Sequence, residues 1–292
     1  MRITTPILII LLLLIPSLAG ADIIVGGDVS YSVVKGDSIE LISARLGASS
    51  KALIRENGLN TKKPLPAGLE IRMNNRKIVP QTMENGIIVN VADRMLYFFR
   101  DGKLQRSFPV GLGIPSKKGV TRWRTPLRKF TIVGKRKDPT WNVPKSIQEE
   151  MAMEGKPVKT IVPPGPENPL GKYAMDTSIP GVLIHSTIWP TSVYKYRSHG
   201  CIRVSPESME PFFPEVSVNT AGEIIYVPVK VAVTPEGRVL LEVNSDVYGK
   251  VKDMEAEVKR VIEERGLSGR VDWGKVVMVL KEKTGNAEDV TL

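Results

Sequence analysis

The dipeptide Asp101-Gly102 fixes the character of the middle of this chain, because it separates two apolar and aromatic runs at 95–99 and 104–110. Asp-Gly accepts positive φ at both central positions of a tight turn, so the two runs are predicted to pair as an antiparallel hairpin. Further strand-like runs lie at 87–91, 129–133, 171–175, 182–184 and 224–227. Between 138 and 170 the pattern breaks at Pro139, Pro144, Pro157, Pro163, Pro164, Pro166 and Pro169. Proline removes a backbone donor and clashes inside helices, so this segment has room only for a short helix, placed at 145–153. Lying directly ahead of the next strands, the segment reads as a wall of a cleft.

Chemistry concentrates after that interruption. The chain has a single cysteine, Cys201, and only two histidines, His185 and His199, all within seventeen residues. A thiol becomes a useful nucleophile when a neighbour takes its proton or stabilises its anion, and imidazole is the usual neighbour. Lone cysteines are most often small buried hydrophobes, and lone histidines satisfied core or surface residues. Against that, Cys201 follows Gly200 and is flanked by Ser198, His199 and Arg203, a polar setting. Zinc is the other reading, with His185, His199 and Cys201 as three ligands of an open catalytic site. Nucleophile ranks first, zinc second and buried bystander third.

The two-part pattern Ile184-His185-Ser186-Thr187 and Ser198-His199-Gly200-Cys201-Ile202-Arg203 resembles the signature of the L,D-transpeptidase catalytic domain (YkuD type). That family consists of exported cysteine enzymes acting on bacterial peptidoglycan. The resemblance implies acyl transfer by Cys201 with His185 as general base, although the residues alone leave His185 and His199 equally able to reach the thiol. It further implies that Ser186 holds the base, that His199 shapes the loop and assists proton relay, and that Ser198 supports it. Backbone N–H groups at Gly200 and Cys201 are the expected oxyanion donors. Arg203 either orients a substrate carboxylate or braces the loop. Where many members have glycine this chain has Ser186, and Arg128 replaces a glycine often found after Thr125-Pro126.

The flanks read as separate units. A Tyr31-Ser32-Val33-Val34-Lys35-Gly36-Asp37-Ser38 opening precedes a helix through Ile39, Leu41, Ile42 and Leu46, capped at Asp37 or Ser38. A second short helix near 50–57, Asn57-Gly58-Leu59 and a strand closing at Ile71 complete a strand–helix–helix–strand order. This unit resembles the lysin motif (LysM), which implies binding of peptidoglycan glycan. Residues 74–85 are polar and aperiodic and read as a linker. After 229, a hairpin about Pro235-Glu236-Gly237 and helical spacing at Val251, Met254, Val258, Val261 and Ile262 predict a packed accessory region, with a last helix around 276–280.

The expected fold class is therefore α+β and multidomain: a β-rich YkuD-like catalytic domain at 86–228, a small LysM-like α/β module at 30–73 and a small α/β accessory region at 229–292. Residues 1–21, with Arg2, an apolar run at 7–15 and Ala19-Gly20-Ala21, read as a secretory signal. No stable membrane span is expected after its cleavage, and the expected location is the periplasm or cell wall. Outside the cytoplasm structural cysteines come in pairs, so a single retained thiol points to use. A net charge of +10 attracts polyanions, yet no nucleic-acid motif is present, and export removes nucleic acid as a partner. The expected partners are peptidoglycan stem peptide and glycan, and a wall-attached lipoprotein as one acyl acceptor; no metal or other cofactor is expected. Water as acceptor would give an L,D-carboxypeptidase, and a degenerate catalytic domain would leave a non-catalytic peptidoglycan-binding protein.

Overall fold

The computed structural model describes residues 22–116 and 123–292; the segment 1–21, read as a secretory signal, lies outside the described residues. Strand β1 (Ile24–Val25) precedes the first unit, which comprises β2 (Asp28–Ser32), α1 (Ile39–Leu46), α2 (Ser50–Glu56) and β3 (Glu70–Asn74). Its two longer strands pair antiparallel, with Ser30 opposite Arg72. Ser38 is the cap of α1, its hydroxyl accepting from the Leu41 N–H at 3.2 Å. The apolar faces of both helices and the strand meet at Val33, Ile42, Leu53 and Ile71.

The linker expected at 74–85 contains a buried strand, β4 (Lys77–Ile78), that pairs with β1. Two residues are too short to show a period, and a lysine disguises a buried strand. Lys77 is nonetheless buried, because its ammonium reaches the Tyr194 hydroxyl at 3.0 Å, Asn286 Oδ1 at 3.1 Å and the Gly285 carbonyl.

The central unit contains β5 (Gly86–Asn90), β6 (Met95–Arg100), β7 (Lys103–Gly113), β8 (Lys129–Lys137), β9 (Trp141–Asn142), α3 (Lys145–Met153), β10 (Ile161–Val162), β11 (Tyr173–Thr177), β12 (Leu183–His185), β13 (Tyr196–Ser198), β14 (Ile202–Val204), α4 (Pro206–Phe212) and β15 (Ala221–Ile225). The predicted hairpin forms between β6 and β7, with Asp101 at φ 50° and Gly102 at φ 67°. Nine strands share one sheet in the order β13-β7-β14-β12-β11-β8-β15-β5-β6. Because β6 also pairs with β7, the ladder closes on itself and leaves few open edges. Inside it pack Ile87, Leu96, Val110, Ile132, Met175, Ile184, Ile202 and Val204. Helix α4 covers this core with Met209 and Phe212, the latter edge-on to Phe98 and Phe108. Ser205 caps α4 and Pro206 opens it, as the Ser-Pro-Glu sequence predicts. The proline-rich insertion folds as the β9–β10 pair around α3.

The last unit is a three-stranded sheet, β16 (Val229–Val233), β17 (Val239–Val243) and β18 (Ala287–Asp289), covered by α5 (Met254–Glu264) and α6 (Trp273–Glu282). Helix α6 begins before the expected 276 because Asp272 accepts hydrogen bonds from the Gly274 and Lys275 N–H groups. All three units are joined: α1 packs on β7 and on the turn Pro190–Ser192, and Asn74 Nδ2 donates to the Ala287 carbonyl at 2.9 Å. Among the described residues no helix is long and apolar enough to cross a membrane.

Candidate active site

Strands β12 and β14 run parallel, with Ile184 opposite Ile202 and His185 opposite Arg203. Side chains alternate along a strand, so the buried pair Ile184 and Ile202 fixes the inward face. Leu183, His185, Cys201 and Arg203 therefore share the outward face, across two neighbouring strands. That face is the floor of a cleft of about 1030 Å³ whose lining includes Trp123, Glu150, His199 and Trp189. Imidazole, thiol and guanidinium, read from separate parts of the sequence, are brought together by one strand pairing.

His185 is only 4% exposed. Its Nδ1 lies 2.5 Å from the Ser186 carbonyl oxygen. A carbonyl only accepts, so Nδ1 carries the proton, and the Leu170 backbone also accepts from this ring. Ser186 is itself fixed, its N–H donating to the Tyr173 carbonyl at 2.8 Å. It holds the histidine through its backbone, so replacing glycine by serine here leaves that contact in place. Burial, then the nearby Arg203 charge, lowers the His185 pKa to about 4. Burial pushes the Cys201 thiol up, against the opposing pull of the Leu183 N–H and Arg203.

The resting pair at neutral pH is therefore imidazole and thiol, not imidazolium and thiolate. Burial decides this, because it disfavours the charged thiolate more than the Leu183 N–H and Arg203 favour it. A nucleophile at Cys201 would have to shed this proton during attack. As pH falls, His185 stays neutral until about 4; as pH rises, the thiol stays protonated past the usual cysteine range. The value of kcat/KM is accordingly expected to be level between roughly pH 5.5 and 8.5. A pH–rate profile checks this, and an acid limb centred near the free imidazole value of about 6.5 would contradict it.

The loop before Cys201 is pinned by its own hydroxyls. Ser198 Oγ donates to the Cys201 carbonyl at 2.5 Å and accepts from the Gly200 N–H at 3.2 Å. The Gly200 N–H is thus directed at Ser198, which corrects its expected place as an oxyanion donor; the neighbouring serine competes for it locally. Gly200 instead supplies conformation, at φ 108°, in the region that favours glycine. Its carbonyl accepts from Thr125 Oγ1 at 3.1 Å, and Thr125 Oγ1 accepts from the Gly113 N–H at 2.9 Å. Tyr248, from the segment after β17, donates its hydroxyl to the Gly113 carbonyl and accepts from the Thr125 N–H, both at 3.0 Å. The C-terminal unit therefore buttresses the loop.

His199 also lines the cleft, with its Nε2 2.6 Å from Glu150 Oε2 on α3 and its ring edge-on to Trp123 at 4.8 Å. The insertion is a cleft wall, as its position predicts. Arg203 lies over the Trp189 ring at 5.7 Å and makes no ion pair among the described residues. Glu150, Trp123 and Trp189 were not foreseen as site residues. The helix at 145–153 was legible, but nothing in its sequence marks which carboxylate faces His199, forty-nine residues away. Among the described residues no group of three or more His, Cys, Asp and Glu side chains is arranged to hold a metal ion.

A family model and curated relatives agree on the family. The model of the L,D-transpeptidase catalytic domain (YkuD) matches residues 84–231, and that of the LysM domain matches 31–74. The chain is 30% identical over 233 residues to the Escherichia coli protein "Probable L,D-transpeptidase YcfS", covering 78% of this chain and 71% of that one. It is 30% identical over 242 residues to "Probable L,D-transpeptidase ErfK/SrfK" of Salmonella typhimurium, covering 81% and 75%. The catalytic domain of the E. faecium L,D-transpeptidase, solved by NMR, aligns with a TM-score of 0.35 at 23% identity, covering 49% of this chain and 98% of that one.

Proposed function

The chain belongs to the L,D-transpeptidase family, enzymes of peptidoglycan cross-linking and attachment, with a LysM domain ahead of the catalytic domain, and from that membership we propose that Cys201 is its acyl-accepting nucleophile. The observation that carries this reading is the shared outward face of β12 and β14, which sets His185, Cys201 and Arg203 side by side on the cleft floor. His185 takes the thiol proton as sulfur attacks the carbonyl of a stem-peptide amide. The same proton then passes to the leaving amine, and a thioester remains on Cys201. The Cys201 N–H is the donor assigned to the developing oxyanion, and Arg203 holds a carboxylate of the donor peptide. His199 shapes the loop and assists the proton relay.

An amine acceptor resolves the thioester as a 3–3 cross-link or as attachment of a wall lipoprotein. The LysM module at 30–73 holds the glycan near the cleft, the catalytic unit spans 86–228, and the region at 229–292 supports the catalytic loop through Tyr248. Export through the 1–21 segment would place the enzyme in the periplasm or wall. The test is incubation of the purified chain with disaccharide tetrapeptides ending in D-alanine, followed by chromatography and mass analysis. Release of D-alanine with formation of 3–3 dimers is the expected outcome. Tripeptide alone would make it an L,D-carboxypeptidase, and unchanged substrate would leave a glycan-binding protein without turnover.

A further inference from the structure

We propose that Glu150 and His199 form a second proton-transfer pair, serving the acceptor amine and separate from the His185 that serves the nucleophile. This rests on the reading of Cys201 as an acylated thiol. A transpeptidase has two proton problems. The thiol must lose a proton in acylation, and an acceptor that arrives as an ammonium must lose one before it attacks the thioester. His185 suits the first and not the second: it is 4% exposed, with Nδ1 engaged by the Ser186 carbonyl.

His199 enters the cleft from the other side of β14. In the sheet, β12 flanks β14 on one edge, whereas β13, which leads into His199, lies beyond β7 on the other. The His199 side chain lines the cleft and retains 25% exposure, with Glu150 at 14%. Glu150 Oε2 stands 2.6 Å from His199 Nε2. A carboxylate oxygen accepts, so Nε2 donates to it and, in a ring carrying one proton, the lone pair lies at Nδ1. That nitrogen has no hydrogen-bond partner among the described residues. Trp123, edge-on at 4.8 Å, limits rotation of the ring. A proton taken up at Nδ1 leaves the Nε2 contact with the Glu150 carboxylate in place.

The steps balance. The acceptor ammonium gives one proton to His199 Nδ1, and the neutral amine attacks the thioester carbonyl. As the tetrahedral adduct collapses, the C–S bond breaks and a new amide C–N bond forms. The second nitrogen proton passes through His185 to the departing sulfur, which regenerates the thiol. The proton on His199 is released to solvent. Glu150 touches no reacting atom and is a positioning residue; His199 is the catalytic base of this half-reaction.

The experiment separates the half-reactions in the full chain. Acylation is followed by mass as adduct formation on Cys201, and transfer as the ratio of cross-linked dimer to tripeptide. The probe is a tetrapeptide stem with a diamino acid at position three, which is both donor and acceptor. Glu150→Ala is expected to leave the acylation rate within about twofold and to lower the dimer rate about tenfold or more, within the range of general-base contributions. Glu150→Gln, which keeps an acceptor oxygen but no charge, is expected to fall between. Met153→Gln, a change at a 74% exposed position on the same helix, serves as control. An equal loss in both half-reactions would overturn the proposal in favour of a latch that merely shapes the loop, as would an unchanged dimer rate. If the unsubstituted chain gives no adduct at Cys201, the nucleophile assignment fails instead.

Discussion

Cys201→Ser is expected to abolish acyl transfer, lowering kcat/KM at least about ten-thousand-fold, while leaving the fold unchanged. A serine hydroxyl is far less acidic than a thiol. A histidine whose pKa is lowered to about 4 is too weak a base to make up the difference. Structurally the exchange is mild, since oxygen replaces sulfur at a half-buried position whose sulfur lies 3.5 Å from the Gly181 carbonyl. The hydrogen bonds that shape the loop use the backbone carbonyls of Gly200 and Cys201, not the sulfur. Thermal midpoint and product analysis on the same sample check both halves. Residual turnover above a hundredth of the original rate would mean that another group accepts the acyl chain.

Lys230→Ala is expected to destabilise the protein by about 3–5 kcal/mol, the cost of orphaning a buried ion partner. Lys230 lies on β16 with its side chain 3% exposed. Its ammonium contacts Asp93 at 2.6 Å, Glu242 at 2.8 Å and the Ile78 carbonyl at 2.6 Å. Burial works against its charge, but the two carboxylates hold its pKa above the ordinary lysine value. They are fully buried and have other partners: Tyr97 donates to Asp93, while the Ile78 N–H and Asn244 donate to Glu242. Removing the ammonium leaves two carboxylates facing each other without water. The cluster ties β4, the catalytic sheet and the C-terminal sheet together, so all three should loosen as one unit. Denaturant melts of Lys230→Ala beside Lys259→Ala, an exposed pair with Glu263, check this. The surface change is expected to cost under about 1 kcal/mol, and equal midpoints for the two would contradict the account.

The candidate site was legible in the sequence because its residue types are rare here. One cysteine and two histidines leave little to choose from, and the apolar run before His185 already placed it at a strand end. The hairpin at Asp101-Gly102, the helix opened by Ser205-Pro206 and the Ser38 cap were legible because each depends on local backbone chemistry. What was hidden depends on distant partners. Lys77 and Lys230 look like surface lysines until Tyr194, Asn286, Asp93 and Glu242 are brought to them. Tyr248 lies more than a hundred residues from the Thr125 it supports. Glu150 differs from Glu149 only in the helix face it occupies. The protonation state of the thiol was hidden too, since desolvation depends on what packs around it.

The most direct test of Cys201 as an acyl-accepting nucleophile is the intact mass of the reduced, folded chain after incubation with a carbapenem, whose strained lactam acylates activated thiols. The account predicts one adduct per chain, absent from Cys201→Ala treated identically. No adduct on the folded chain, or an adduct that persists when Cys201 is replaced, would contradict it.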